Sequence, residues 1–222
     1  MLDFIIVGGA QAGLSMAYYL NKLGKQYIVV DKESEIGASW LNRWDSLKLF
    51  TPSEFNNLPG MDFPAEEGYY PTKKDVAAYF KDYVTEFNID IRLNTLVEQV
   101  SKEEDHFVLK HPNGELKTQN VIIATGPFHI PYTPSFSKKI SEEGWDIKNI
   151  VWATGYRPNF SWIDGLELTK DGYPKHQRGI SNIEGLYFIG LPWLHTRGSA
   201  TLGGIKNDAK YLTDYIQTEE NK

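Results

Sequence analysis

The chain contains no cysteine in its 222 residues, which excludes disulfides, thiol redox catalysis and cysteine-bound zinc. It has no apolar run approaching membrane-spanning length, so no spanning helix is expected. Positive charge is scarce. Lys and Arg total 23 against 29 Asp and Glu, a formal charge of −6, which argues against nonspecific binding to nucleic acid or anionic membrane, since both favour basic surfaces. His106, His111, His129, His176 and His195 show no metal-ligand spacing, so no metal site is expected. No Ser–His–Asp or paired-carboxylate arrangement can be argued. What remains, 41% hydrophobic and 23% charged, is the composition of an ordinary soluble protein with one core, or one domain and a small satellite. The first predicted strand starts within three residues of Met1, so a signal peptide is not expected and a cytoplasmic location is.

Against that background one segment stands out. Phe4-Ile5-Ile6-Val7 runs straight into Gly8-Gly9-Ala10-Gln11-Ala12-Gly13, and the amphipathic stretch Leu14–Leu20 follows. A second apolar run, Tyr27-Ile28-Val29-Val30, ends on Asp31, eighteen residues beyond Gly13. This is the layout of a dinucleotide-binding βαβ unit. The turn offers backbone N–H groups at a helix N-terminus to a pyrophosphate, and the acid accepts hydrogen bonds from ribose hydroxyls. Read as G-x-G-x-x-G, the motif has Ala10 where its middle glycine belongs, at the position of closest backbone approach to the pyrophosphate. The alternatives are a structural strand–turn–helix and, for Asp31, a solvated acid at a strand end.

A loop-rich stretch at 36–71 follows, of a length that is usually functional. Thr72 and Asp75 then predict a capped helix with Val76, Tyr79, Phe80 and Val84 on one face, and Ile89–Leu93 the next strand. Alternation over Leu96–Val100, Phe107–Lys110 and Gln119–Ile123, with Asn113-Gly114 between the last two, predicts a three-stranded antiparallel meander. Residues 137–149 are polar and unpatterned. Asn149–Tyr156 repeats the strand-then-Ala-Thr-Gly theme of 120–126, which suggests two strands crossing one cofactor. Gly185–Gly190 reads as a strand, and a final helix near 203–217 carries Ala209, Leu212, Tyr215 and Ile216.

Taken together, Gly8 to Gly13, Asp31-Lys32, Gly37-Ala38-Ser39-Trp40 with Arg43, Tyr70-Pro71-Thr72, Ala124–Pro127, Val151–Tyr156 and the tail Gly190 to Gly204 resemble the flavin-containing monooxygenases, class B flavoprotein monooxygenases. The resemblance implies an α/β fold: a Rossmann-like FAD-binding domain in three layers, with a central parallel sheet and an antiparallel three-stranded meander. It also implies FAD bound in extended form, reduction by NADPH, and oxygen activation at the flavin. On this resemblance Asp31 and Lys32 meet the adenosine ribose region. Ser39, Trp40 and Arg43 lie where the flavin packs, Arg43 against pyrophosphate and Trp40 over the ring. Thr125 and Gly126 are backbone neighbours of the cofactor. Gly198, Ala200 and Leu202, ahead of the last helix, offer N–H groups to the flavin N1–C2 carbonyl region. The other readings are a core tryptophan at Trp40, an ordinary turn at 125–126 and a flexible glycine loop at 198–204. His195 is more simply a structural histidine than a proton donor. Asn56 and Asn57 do not align convincingly with the asparagine that some members place near the flavin.

The resemblance breaks in the middle. Such enzymes nest an NADPH-binding domain between their two Ala-Thr-Gly strands, and that domain needs its own glycine turn. Here no second G-x-G-x-x-G occurs, no F-x-G-x-x-x-H follows the first Ala-Thr-Gly, and only thirteen residues separate Phe136 from Ile150. Residues 1–136 and 149–222 are therefore expected to form one FAD-binding domain, rejoined by a short linker at 137–148. Three functions stay open: a flavoprotein with weak or uncoupled, peroxide-forming redox activity; an oxidoreductase reduced by a redox partner or loosely bound NADPH; and a non-catalytic binding or scaffold protein. The surface exposed by the missing domain predicts a homodimer.

Overall fold

A computed structural model describes residues 1–142 and 148–221. Its framework is a mixed sheet built outward from β1 (Leu2–Val7). β2 (Tyr27–Val30) pairs parallel on one side and β6 (Gly114–Ile123) parallel on the other. β3 (Ile91–Arg92) extends the sheet beyond β2, and β11 (Leu186–Phe188) lies parallel to β6. Two short strands, β9 (His176–Gln177) and β10 (Ile180–Ser181), finish that edge antiparallel.

Alternation along β1 sorts its side chains to two faces, as the period-2 geometry of a strand requires. Phe4 and Ile6 enter the core shared with α1 (Gln11–Lys22), α3 (Lys73–Glu86) and α5 (Ile205–Glu220). Ile5 and Val7 face a second core beneath β4 (Gln99–Lys102) and β5 (Phe107–His111), with Phe107, Leu109 and Phe160. Helices, parallel strands and meander thus make the three expected layers. β4, β5 and β6 are consecutive and antiparallel. The outer edge of β4 is covered by the chain near 162–164: Val100 N–H donates to Trp162 O (2.8 Å) and Asp164 N–H to Val100 O (2.9 Å). Covering the edge removes a row of unpaired backbone groups.

α3 begins with the predicted cap. Thr72 accepts from the Asp75 N–H, and Asp75 accepts from the Thr72 N–H at 2.8 Å. Its buried face includes Tyr83 as well as Val76, Tyr79 and Phe80, whereas Val84 is only half-buried. Tyr79 Oη accepts from Leu58 N–H (2.8 Å) and donates to Met61 O (2.6 Å); Tyr83 Oη donates to Pro59 O (2.6 Å). The long loop is therefore pinned to a helix, and it holds two short helical turns of its own, α2 (Ala38–Leu41) and a 3-10 turn at Ser53–Phe55.

Three expectations are corrected. The strand at 89–93 shrinks to Ile91–Arg92 at the sheet edge. The strand expected from Leu96 starts at Gln99, because Thr95 N–H is bonded to Asp31 O and Asn94 N–H to Glu33 O while the chain crosses the strand ends. Residues 151–155 form no strand, and Val151 is 89% exposed. β6 is already flanked by β1 and β11, so the second Ala-Thr-Gly finds no open edge there. Only β8 (Tyr156–Arg157) pairs, with β7 (Ile130–Pro131), in a separate two-stranded ribbon. Of the expected linker 137–148, Ser137–Glu142 form a short helix, α4, and 143–147 lie outside the described residues.

Candidate functional site

The glycine turn is shaped by close backbone contacts. Gly8 has φ +111°, and a Cβ there would lie 2.6 Å from Ala124 O. A Cβ on Gly13 would overlap Gly8 O, so the third glycine is required for the helix to pack on the strand. Gly9 N–H donates to Asp31 Oδ2 (2.5 Å), and Glu33 N–H to Asp31 Oδ1 (2.9 Å). The carboxylate thus clamps the turn to the end of β2, a charge-assisted arrangement, and each oxygen keeps further acceptor capacity. Ala10 is the N-cap of α1, with extended φ −91° and no side-chain capping bond. The first intrahelical bond runs from Leu14 N–H to Ala10 O. The N–H groups of Gln11, Ala12 and Gly13 precede it and carry the positive end of the helix dipole.

Around this turn opens a cleft of about 350 Å³ at the carboxyl ends of β1, β2 and β6, where open parallel sheets take ligands. Of the predicted residues it brings together Gly8, Ala10, Asp31, Lys32, Ser39 and Thr125. It also recruits Glu33, Thr95, Val97, Phe128, His129, Asn159 and Trp162, which the motif reading missed. Thr95 follows β3, so the strand-end rule applied to that strand would have found it. Asn159 and Trp162 carry no sequence signal, because only the chain's return along β4 brings them near.

His129 Nδ1 accepts from the backbone N–H of Asn159 (2.8 Å). That bond fixes the neutral tautomer with its proton on Nε2. Nε2 is buried and makes no hydrogen bond of good geometry, with the Thr125 and Gly126 backbone alongside. Burial holds the ring below its ordinary value; those backbone neighbours oppose the shift only in part.

The predicted flavin end is built around Trp40. Trp40 is buried, and its indole Nε1–H donates to Gln11 Oε1 (3.2 Å). Arg43 lies over the Trp40 ring at 4.5 Å, with Phe128 at 6.0 Å, and donates from Nε to Ser39 O. Burial lowers its guanidinium's value, against the opposing effect of Tyr156. Neither Trp40 nor Arg43 lines the cleft. The Arg43 side chain is engaged by rings and backbone.

The segment before α5 is close-packed. A Cβ on Gly203 would overlap Phe55 O, and one on Gly204 would overlap Gly198 O. Leu202 is a core side chain, 4% exposed, and Ala12 packs against Gly190. At these two positions backbone N–H groups alone remain to face a ligand. Gly126 has open space where a Cβ would stand. Asn56 is buried and fully engaged with Thr51 and Pro52, and so is structural. His195 is exposed and borders a separate polar groove with Arg178 and Asp208. Among the described residues no group of three or more His, Asp or Glu is placed to hold a metal.

Residues 5–144 match the family described as pyridine nucleotide-disulphide oxidoreductase. The chain belongs to this family. Within it, the chain is 30% identical to the uncharacterized oxidoreductase CzcO of Bacillus subtilis, in an alignment of 346 positions that covers 99% of this chain and all of that protein. The chain also shares its fold with a flavin-containing monooxygenase from Stenotrophomonas maltophilia (TM-score 0.83, 21% identity, 98% of each chain). The bacillithiol disulfide reductase of Staphylococcus aureus has the same fold (TM-score 0.77, 14% identity, 98% of each chain). No helix among the described residues is long and apolar enough to cross a membrane.

Proposed function

We propose that this chain is an FAD-binding flavoprotein that retains the flavin half of an oxidoreductase and lacks its NADPH-binding domain, so that its redox activity is weak and peroxide-forming. The observation that carries the reading is the Gly9–Asp31 clamp at the N-terminus of α1, opening on a cleft, in a chain whose sequence holds one such turn. Gly8, Gly9 and Gly13 leave room for no side chain, which suits the close approach of a pyrophosphate. Asp31 and Lys32 would meet the adenosine ribose. Backbone N–H groups of 10–13 would meet the pyrophosphate, and those of 198–204 the flavin ring. Support for the missing domain comes from the length of the relative: an alignment of 346 positions accommodates a chain of 222 residues.

Bound FAD supplies a two-electron carrier that returns its electrons to dioxygen, giving hydrogen peroxide. Without a second nucleotide turn, NADPH lacks the positioning that supplies much of a hydride-transfer rate. The solvent exclusion that favours oxygen transfer over peroxide release is lost with it. The test is chromatography of the cofactor released on denaturation, followed by a peroxide assay after chemical reduction. FAD in the supernatant, NADPH reduction that does not saturate, and peroxide as the main product support the reading. Recovery of FMN alone, or a colourless protein that takes up no FAD, overturns it, the latter in favour of a scaffold. Saturating turnover with NADPH overturns the uncoupled activity in favour of a functional oxidoreductase.

The reading extends to assembly. Phe128 and Tyr156 (5.4 Å between ring centroids) and Phe136 and Trp152 (6.1 Å) form exposed pairs on and beside the β7–β8 ribbon. Both flank the short junction at 137–148, and a surface of this kind favours a symmetric homodimer.

A further inference from the structure

Gln11 is the one side chain of the glycine turn engaged with two distant segments at once. Its Oε1 accepts from the Trp40 indole N–H at 3.2 Å, and its Nε2 reaches Ala200 O at 3.5 Å. Indole is a donor only and a carbonyl an acceptor only, so a single amide orientation satisfies both, and an amide offers one of each whatever the pH. Behind Trp40 the connection continues. The Arg43 guanidinium stacks on the indole, and the buried Lys73 donates to Arg43 O (2.6 Å) and Asp45 Oδ1 (2.9 Å). Beyond Ala200, Thr201 Oγ1 donates to Gly198 O (2.7 Å) and accepts from Gly204 N–H (3.2 Å), fixing the entry to α5. Three segments that are remote in sequence, at 11, 40 and 200, thus meet on one amide.

We propose that Gln11 is a positioning residue that couples the phosphate-binding turn to the ring end of the site, setting the distance between the α1 N-terminus and the 198–204 backbone. The inference rests on the FAD reading above. It assigns the Gln11 side chain no contact with the cofactor. Its role is to hold Trp40 and Ala200, and with them the surroundings of the flavin ring.

The test uses the full chain, with Gln11→Leu and Gln11→Glu beside the wild type. In the apo protein, hydrogen exchange should rise in both 38–43 and 198–203 for Gln11→Leu, with the distant β4–β5 hairpin unaffected. With FAD added, Gln11→Leu should bind about tenfold more weakly, the scale for loss of a hydrogen bond or two. Its bound flavin should also show an altered visible circular dichroism spectrum and midpoint potential. Gln11→Glu supplies the decisive readout. Ionised, it has no donor for Ala200 O and repels it; protonated, it regains one. Relative to the wild type at each pH, its FAD affinity should therefore improve as pH falls from about 6 to about 4, through the ordinary carboxyl range, with no such relative trend in Gln11→Leu. Should Gln11→Leu fail to fold, the pH response of Gln11→Glu alone decides. Unchanged exchange in the two segments, or a bound flavin whose spectrum and potential match the wild type, overturns the coupling while leaving the FAD reading intact. A wild type that binds no FAD overturns both.

Discussion

The ring of His129 and the backbone of Asn159, on either side of the proposed junction at 137–148, are joined by a 2.8 Å hydrogen bond. One residue belongs to the chain before the junction and the other to the chain after it, and both line the cleft. Burial holds His129, and likewise His176, below the ordinary value of 6.5. The unfolded chain therefore takes up these protons at a higher pH than the folded one. The stability they confer is fully present above about 6.5 and is lost as pH falls through the folded values. Denaturant midpoints of the apo protein should decline between pH 7 and 5, where no carboxylate of ordinary or lowered value titrates fully. His129→Gln should flatten part of that decline. A midpoint independent of pH in this range would remove the histidines from the account.

Asp31→Ala should weaken FAD binding by about 1–3 kcal/mol, the scale for hydrogen bonds to a charged group. The apo protein should also melt earlier, because Gly9 and Glu33 lose their acceptor. Titration of the apo protein with FAD measures the first effect and calorimetry the second. An unchanged dissociation constant would take Asp31 out of the site.

Ala10→Gly should leave FAD affinity equal or improved. The methyl lines the cleft, and glycine is the better residue at an N-cap. Against this, glycine adds about 0.4–1 kcal/mol of unfolded-state entropy, so the melting temperature should move little. A marked loss of affinity on the same FAD titration would show that the methyl packs usefully against the cofactor.

The aromatic surface beside the junction should drive self-association. Light scattering at high micromolar concentration should give twice the monomer mass, and Trp152→Asp or Val151→Asp should return it to the monomer. A wild type that stays strictly monomeric there would leave this surface unpaired.

How much of this was legible in the sequence differs from one element to the next. The strand, turn, helix and acid from Phe4 to Asp31 were readable because each step is local: apolar run, glycine spacing, amphipathic period. The Thr72–Asp75 cap was readable for the same reason. The strand at 149–156 was misread because Val151, Trp152 and the Ala-Thr-Gly that follows carry strand-like composition, while strand formation depends on a free neighbouring edge, which is a property of the whole sheet. The resemblance carried no information on the side-chain surroundings of Arg43 and Leu202, which stacking on Trp40 and burial in the core decide. Asn159 and Trp162 were invisible because tertiary return alone sets their place.

β6 has a consequence for how the chain is made. Thr118 faces Leu2 on one side and Phe107 on the other, and the first pair lies 116 positions apart in the chain. On the ribosome, β1 is completed first and then waits for most of the polypeptide before its central neighbour arrives, with β11 later still. Until then an apolar strand stays half-paired, the circumstance in which nascent chains associate wrongly. Slower synthesis or lower temperature during expression should favour the assembled product, since β1 is flanked only after β6 has emerged and β6 only after β11.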